Sequence, residues 1–283
     1  MSKPFLIDTH SHINFNAYKD DGDEVIKRTL KENIWLINVG AQYSTSQRAV
    51  EYAEKYKEGV YAAVGLHPSH ICQNKSETSE ENREIEKFNQ EKYRKLLENP
   101  KVVAMGEIGL EYFDGITQQA KDKQKEVLLE QLELAQQIGK PIIFHCRKAY
   151  DDLIELLTGF KAGCVSCPMA CPGAGSTQVK GVVHCFMGRW SQAEKFLETG
   201  FYFSFNGLIT YARDYDKVIE KMPLDKILLE TDCPYLTPAP YRNKRNEPLY
   251  VKLVAEKIAE IKKIKFEQVA EQTTKNAKEL FGI

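Results

Sequence analysis

The feature that most constrains this chain is a recurrence: short, almost unbroken apolar runs separated by longer amphipathic stretches. The runs are PFLIDTH (4–10), WLINVG (35–40), VYAAVGLH (60–67), VVAMGEIGL (102–110), PIIFHC (141–146), VVHCF (182–186), FYFSF (201–205) and KILLETD (226–232). A strand with one wet face alternates polar and apolar residues, whereas a run that is apolar throughout suits a strand buried on both faces of a parallel sheet. Between the runs the spacing turns helical. Across 117–138, Val127, Leu128, Leu132, Leu134, Ala135 and Ile138 form one stripe among Gln, Lys and Glu, and Gly139 ends it. The tail 266–281 repeats the pattern with Phe266, Val269, Ala270, Ala277, Leu280 and Phe281, closed by Gly282. Strands alternating with helices build βαβ units. Eight such strands in 283 residues, with no linker or internal repeat, predict one domain over 1–283. The expected fold is α/β, a single closed (β/α)8 TIM-type barrel rather than an open doubly wound sheet. No G-x-G-x-x-G follows the first run, which counts against a dinucleotide-binding fold.

The stretches 69–83 and 159–181 read as surface loops, the second an inserted Cys/Gly/Pro-rich segment. It holds Cys164, Cys167 and Cys171, which at this spacing are either part of a zinc site without a nearby fourth ligand or a reduced loop. Because it follows the helix after the fifth strand, it is expected on the face opposite the strand C-termini.

Five of the six histidines stand in or just after apolar runs: His10, His12, His67, His145 and His184. Glu107 and Asp232 share that placement. Such groups are costly to bury unless paired or bound to a metal. In a parallel barrel all C-terminal strand ends meet on one face, so seven metal-competent side chains from six strands are aimed at one place. His10 and His12 are two residues apart and so lie on the same side of a strand. On its own that pair reads as two solvated histidines at a strand end; the other five in matching positions reverse this in favour of a shared cation. Imidazoles mixed with carboxylates suit Zn, Mn, Fe, Co or Ni. More than four ligands exceed one tetrahedral site, which points to two ions ~3.5–4 Å apart with one carboxylate between them. That arrangement activates water for hydrolysis and has no use in hydride transfer.

In chain order, DTHSHI (8–13), GLHP (65–68), GEIGLEY (106–112), HCR (145–147), HCFMG (184–188), ETDCPYL (230–236) and RNEP (245–248) resemble the successive motifs of the TatD-like metal-dependent deoxyribonucleases of the amidohydrolase superfamily. The resemblance runs from residue 5 to the terminal TKNAKELFG and omits only the region around 160–180. It implies a barrel hydrolase with two divalent ions, Zn, Mg or Mn, that cleaves phosphodiester bonds of DNA. It further implies that His10, His12, Glu107 and Asp232 bind one ion, and that Glu107, bridging, binds the other with His145 and His184. Asp232 and Glu107 are the implied catalytic residues, Asp232 as the general base. His67 is implied to contact the scissile phosphate; it also fits as a histidine capping its strand before Pro68. Arg147 and Arg245 are candidate phosphate contacts or else surface charges. Glu230, on the face of Asp232, either orients a ligand histidine or is a satisfied barrel carboxylate. Two departures from the family pattern are Glu111, where Asp is usual, and the extra length between His145 and His184.

With 39 Lys and Arg against 40 Asp and Glu, the net charge is −1. Bulk electrostatics therefore do not hold this chain on nucleic acid, although phosphates can still be met locally. Cations gather in RNKR (242–245) beyond the eighth run, and Tyr211, Tyr235 and Tyr241 offer either stacking faces or ordinary packing there. The expected partner is DNA, bound locally and at a strand end because a closed barrel recesses its site; no obligate protein partner is evident. No apolar run approaches the ~18 residues of a membrane span and no signal segment opens the chain, so a cytoplasmic setting with reduced cysteines is expected. Two alternatives keep the barrel: hydrolysis of another ester or amide, such as an aminoacyl ester on tRNA, or metal binding without catalysis. The second is disfavoured because no ligand is missing.

Overall fold

The computed structural model describes residues 4–72, 85–161 and 179–283. Eight strands form one sheet in sequence order: β1 (Leu6–Ser11), β2 (Ile34–Val39), β3 (Val60–Val64), β4 (Val102–Glu111), β5 (Ile142–Arg147), β6 (Gly181–Val183), β7 (Tyr202–Phe205) and β8 (Ile227–Leu229). Every neighbouring pair is parallel. The sheet closes on itself through a parallel bridge between Ser11 and Cys233. The Asp232 amide donates to the His10 carbonyl and the His12 amide to the Cys233 carbonyl, each at 2.9 Å. The molecule is the (β/α)8 barrel that the run pattern predicts.

Nine helices lie among the described residues: α1 (Gly22–Lys31), α2 (Tyr43–Glu54), α3 (Gln90–Leu97), α4 (Gln118–Ile138), α5 (Tyr150–Lys161), α6 (Trp190–Glu198), α7 (Asp216–Lys221), α8 (Val251–Lys262) and α9 (Phe266–Phe281). α4 starts where the Thr117 side chain accepts from the Ala120 amide and stops at Gly139, whose φ of 75° is the left-handed cap that glycine suits. The apolar stripe between them faces the barrel, with Val127, Leu128, Leu132, Leu134 and Ala135 all buried. None of these helices is long and apolar enough to cross a membrane.

The inward strand faces change character along their length. Ile143, Val182 and Leu228 pack with Ile7, Ile37 and Ala63, and Leu280 and Phe281 of α9 join them, so α9 closes the barrel at its N-terminal end. Two residues further along the same faces stand His145, His184 and Glu230. Gly109 belongs to this upper level. At φ 153° it lets β4 lie so close to β5 that a Cβ there would stand 1.9 Å from the His145 carbonyl oxygen.

Loop boundaries differ from the run-based reading in two places. A 3₁₀ turn at Pro68–His70 begins the stretch expected as an open loop, and residues 73–84 lie outside the described residues. The inserted segment expected over 159–181 begins later, because α5 continues to Lys161, and ends earlier, because Gly181 already pairs with Ile142 in the sheet. Cys164, Cys167 and Cys171 lie outside the described residues.

Candidate metal centre

Closure of the barrel brings His10, His12, Glu107, His145, His184 and Asp232 to one place at the strand C-termini, with His67 beside them. Glu107 is the hub. Its Oε2 faces His10 Nε2 at 3.4 Å and His12 Nε2 at 4.0 Å. Its Oε1 faces the opposite group: His145 Nδ1 at 2.7 Å, His184 Nε2 at 2.8 Å and His67 Nε2 at 3.5 Å. Asp232 Oδ1 stands 3.4 Å from His12 Nε2 and 3.8 Å from His10 Nε2. The Nε2 atoms of His10 and His12 are themselves 3.2 Å apart. The two imidazoles thus converge on one point.

The surrounding backbone and side chains hold each ring. His12 Nδ1 sits 2.8 Å from the Val39 carbonyl oxygen; that bond requires the proton on Nδ1 and leaves the Nε2 lone pair facing Asp232. His67 is the reverse case. Its Nδ1 accepts from the Ser69 amide at 3.1 Å, which puts the proton on Nε2 and makes that atom a donor toward the site. Glu230 stands behind His184, its Oε1 3.4 Å from Nδ1. Donors from Ser204, Asn206 and the Cys185 amide fix Glu230 in turn. Asp8, one level below His10, accepts from the amides of His10 and Thr231 and from the Thr231 hydroxyl, joining the end of β1 to the chain just past β8. Asp232 follows at φ 55°, a left-handed conformation that a short polar side chain tolerates.

The charge balance of this cluster calls for a cation. Burial alone pushes the Glu107 carboxyl up, but His184, His67 and His10 outweigh it and hold the carboxyl well below its ordinary value. Asp232 is likewise held low, its burial outweighed by the neighbouring His12, His184 and His10. Burial disfavours the charged form of His184, yet Glu107 and Glu230 raise it well above a free imidazole. The two carboxylates therefore stay ionised among imidazoles of which His184 and His67 are raised and His10 and His145 lowered, a setting in which a divalent ion would supply positive charge directly. Among the described residues, buried His10 Nδ1 and His145 Nε2 make no hydrogen bond. Among the described residues, three donor sets have ligand atoms within 4.8 Å of one another: His10, His12 and Glu107; His67, Glu107 and His145; and His10, His184 and Glu230. The donor types fit divalent metal, with His10 Nε2, His12 Nε2, His145 Nδ1 and His184 Nε2 all turned toward the Glu107 carboxylate.

The centre opens into a cavity of about 550 Å³ whose wall includes His12, His67, Glu107, His145, Arg147 and Asp232. Arg147 reaches it with Nη1 3.2 Å from Glu111 Oε1. Burial would raise the Glu111 carboxyl, but His145, His67 and Arg147 hold it low. Arg245 is the candidate the structure does not bring to this cavity. Its guanidinium forks onto Asp21, donates to the Ala17 carbonyl at 2.7 Å and lies 4.4 Å from the centre of the Tyr18 ring. Its charge is answered by a carboxylate 224 residues away in the chain, a partner that no local motif announces.

Sequence reasoning missed three supporting residues. Ser69 sets the His67 tautomer, Asp8 joins the first and last segments of the cluster, and Asn246 ties the loop after Asp232 by donating to the carbonyls of Thr231 and Tyr235. Asp8 and Asn246 stand inside the DTHSHI and RNEP segments, and Asp8 in particular is a carboxylate within an apolar run, a signal of the kind that found Glu107.

The family model described as TatD related DNase matches residues 7–282. A Bacillus subtilis protein named as the uncharacterized metal-dependent hydrolase YabD is 40% identical over 281 residues, 98% of this chain and 99% of that protein. A putative deoxyribonuclease of Mus musculus, TATDN3, is 31% identical over 98% of this chain and 88% of its own. Among solved structures, YJJV, a TatD homolog from Escherichia coli, superposes with a TM-score of 0.81 at 28% identity and covers 100% of both chains.

Proposed function

The chain belongs to the TatD-related DNase family, and from that premise we propose that it cleaves the phosphodiester bonds of DNA with two divalent ions, working inward from a strand end. At the coarser level it is a metal-dependent hydrolase. The observation that carries the finer reading is Glu107, whose two oxygens are divided between two histidine groups 2.7–4.0 Å away. A carboxylate so placed suits a bridge between neighbouring cations. The mouse relative's name as a putative deoxyribonuclease supports the choice of bond.

In this reading His10, His12, Glu107 and Asp232 hold one ion, and Glu107, His145 and His184 hold the other. When bound, such ions bring the pKa of a water toward neutrality and offset the charge of an in-line displacement. Asp232, kept ionised by His12, His184 and His10, accepts the proton of the attacking water. His67 donates from Nε2 to a phosphate oxygen, a role its tautomer suits. Arg147, with one Nη on Glu111, has further donors for the same phosphate. Glu230 keeps the His184 ring in place. The depth of the centre favours an end over an intact duplex: His10 is fully buried, and only 15% of the Asp232 side chain is exposed.

The test is hydrolysis of end-labelled single-stranded DNA by metal-stripped protein, with Mg, Mn or Zn added back, beside Asp232→Asn. Cleavage that returns with metal and is lost in Asp232→Asn supports the reading, as does resistance of circular single strands. Binding of two ions without cleavage under any metal refutes the choice of substrate.

A further inference from the structure

Next to the metal-facing cavity lies a second, of about 530 Å³, and the two share Tyr235 and Leu236 as a common wall. Its character differs from that of its neighbour. Arg242, Lys244 and Arg245 all line it, and no acidic residue does. In a chain whose net charge is −1, a cavity lined by Arg and Lys with no carboxylate in its wall is a local excess of positive charge. Arg245 is spoken for by Asp21. Arg242 and Lys244 form no ion pair among the described residues. Each lies instead on an aromatic ring, Arg242 4.0 Å from the centre of Tyr211 and Lys244 5.6 Å from that of Tyr241. A guanidinium laid on a ring keeps its N–H edge free for a phosphate. Tyr235, an aromatic residue of the kind on which bases stack, stands on the shared wall and is 37% exposed.

The loop that carries these groups is braced. The Thr237 hydroxyl donates to the Lys244 carbonyl at 2.6 Å, and the Asn246 amide to the Pro234 carbonyl at 3.1 Å. Through its side chain Asn246 also holds the Thr231 carbonyl, one residue before Asp232. The cationic cavity is thus fixed in position relative to the metal centre. It needs no closure to form.

We propose that this second cavity holds the nucleotide next to the cleaved bond of a single-stranded nucleic acid, with Arg242 and Lys244 on its phosphate and Tyr235 against its base. The assignment rests on the nuclease reading for the identity of the strand, but it concerns binding and can fail separately. It makes the protein an enzyme for chains of at least two nucleotides rather than for isolated phosphate esters.

The experiment compares the metal-loaded full chain with the double variant Arg242→Ala/Lys244→Ala, both checked for equal melting. Binding is read by fluorescence anisotropy with a cleavage-resistant phosphorothioate oligothymidylate of about ten nucleotides, between about 50 and 200 mM salt. The variant is expected to bind at least about tenfold more weakly at the low end, and its slope of log K against log salt to fall by about 0.7, since both cations serve one single-strand phosphate. Arg242→Lys with Lys244→Arg is expected to restore most of both. In hydrolysis, the ratio of kcat/KM for an oligonucleotide to that for bis(p-nitrophenyl) phosphate is expected to fall about tenfold in the Ala variant. If the parent cleaves neither compound, the nuclease reading fails while anisotropy still decides the subsite. Equal affinity and slope in parent and variant overturn the proposal, as does a nucleoside monophosphate that binds as tightly as the strand and is weakened equally.

Discussion

The floor and the rim of the barrel interior are built on the same strand faces, two residues apart, yet they obey different physics. At the floor, Ile143, Val182 and Leu228 pack against Ile37, Ala63 and Phe281, and their contribution is removal of apolar surface from water. At the rim, His145, His184 and Glu230 are also buried or nearly so, but each is a polar group whose burial costs free energy unless something answers it. The floor answers itself by packing. The rim is answered partly by its own ion pairs, and its imidazole nitrogens turned toward Glu107 are placed to hold metal. Stability and function therefore separate along one strand within the length of two residues.

The sharpest way to break that separation is at the hub. Glu107→Gln keeps the shape of the side chain and removes the charge shared by both histidine groups. Activity is expected to fall by at least about 10³, roughly 4 kcal/mol in the barrier, with little change in melting temperature when parent and variant are both compared metal-free. A large loss of melting temperature instead would place Glu107 in the stability of the fold. The converse change is Ile143→Ala at the floor, where a fully buried side chain is cut back. It is expected to cost about 2–5 kcal/mol in denaturant unfolding, while the folded fraction keeps its metal content. Loss of metal there at unchanged stability would mean that the floor supports the site directly.

Smaller effects divide the rim itself. Glu230→Gln leaves the hydrogen bonds to Ser204 and Asn206 largely possible but removes the charge behind His184, so metal affinity or activity is expected to fall by about 10–100-fold. Isothermal titration should show the loss at one ion and not the other. Ser69→Ala removes only the hydroxyl and leaves the Ser69 amide bond to His67 Nδ1, so its effect on kcat is expected to stay within about threefold. A loss of about 100-fold would mean that the hydroxyl, 2.7 Å from Nδ1, sets the ring rather than the backbone.

How legible all this was in the sequence follows the same line. The eight runs gave each strand to within a few residues, because burial on both faces removes polar residues from a strand and leaves an unmistakable signature. α4 and α9 were bounded by their stripes and their capping glycines. The convergence of His10, His12, Glu107, His145, His184 and Asp232 could be read because a parallel barrel dictates where strand ends meet. What could not be read were partnerships made only by closure. The Arg245 and Asp21 pair joins positions 224 residues apart, so a cation that looked available for phosphate is already occupied. Which way a ring is turned is equally silent in sequence: His12 and His67 carry their protons on opposite nitrogens because of Val39 and Ser69, neither of which any motif singles out.

The most direct test of the account is the number of divalent ions held by the folded chain, counted by native mass spectrometry after stripping and reloading with Zn or Mn, for the parent and for Glu107→Gln. The account predicts two ions in the parent and loss of both in the variant, because one carboxylate serves both histidine groups. A parent that holds a single ion, or a Glu107→Gln protein that still holds two, would contradict it.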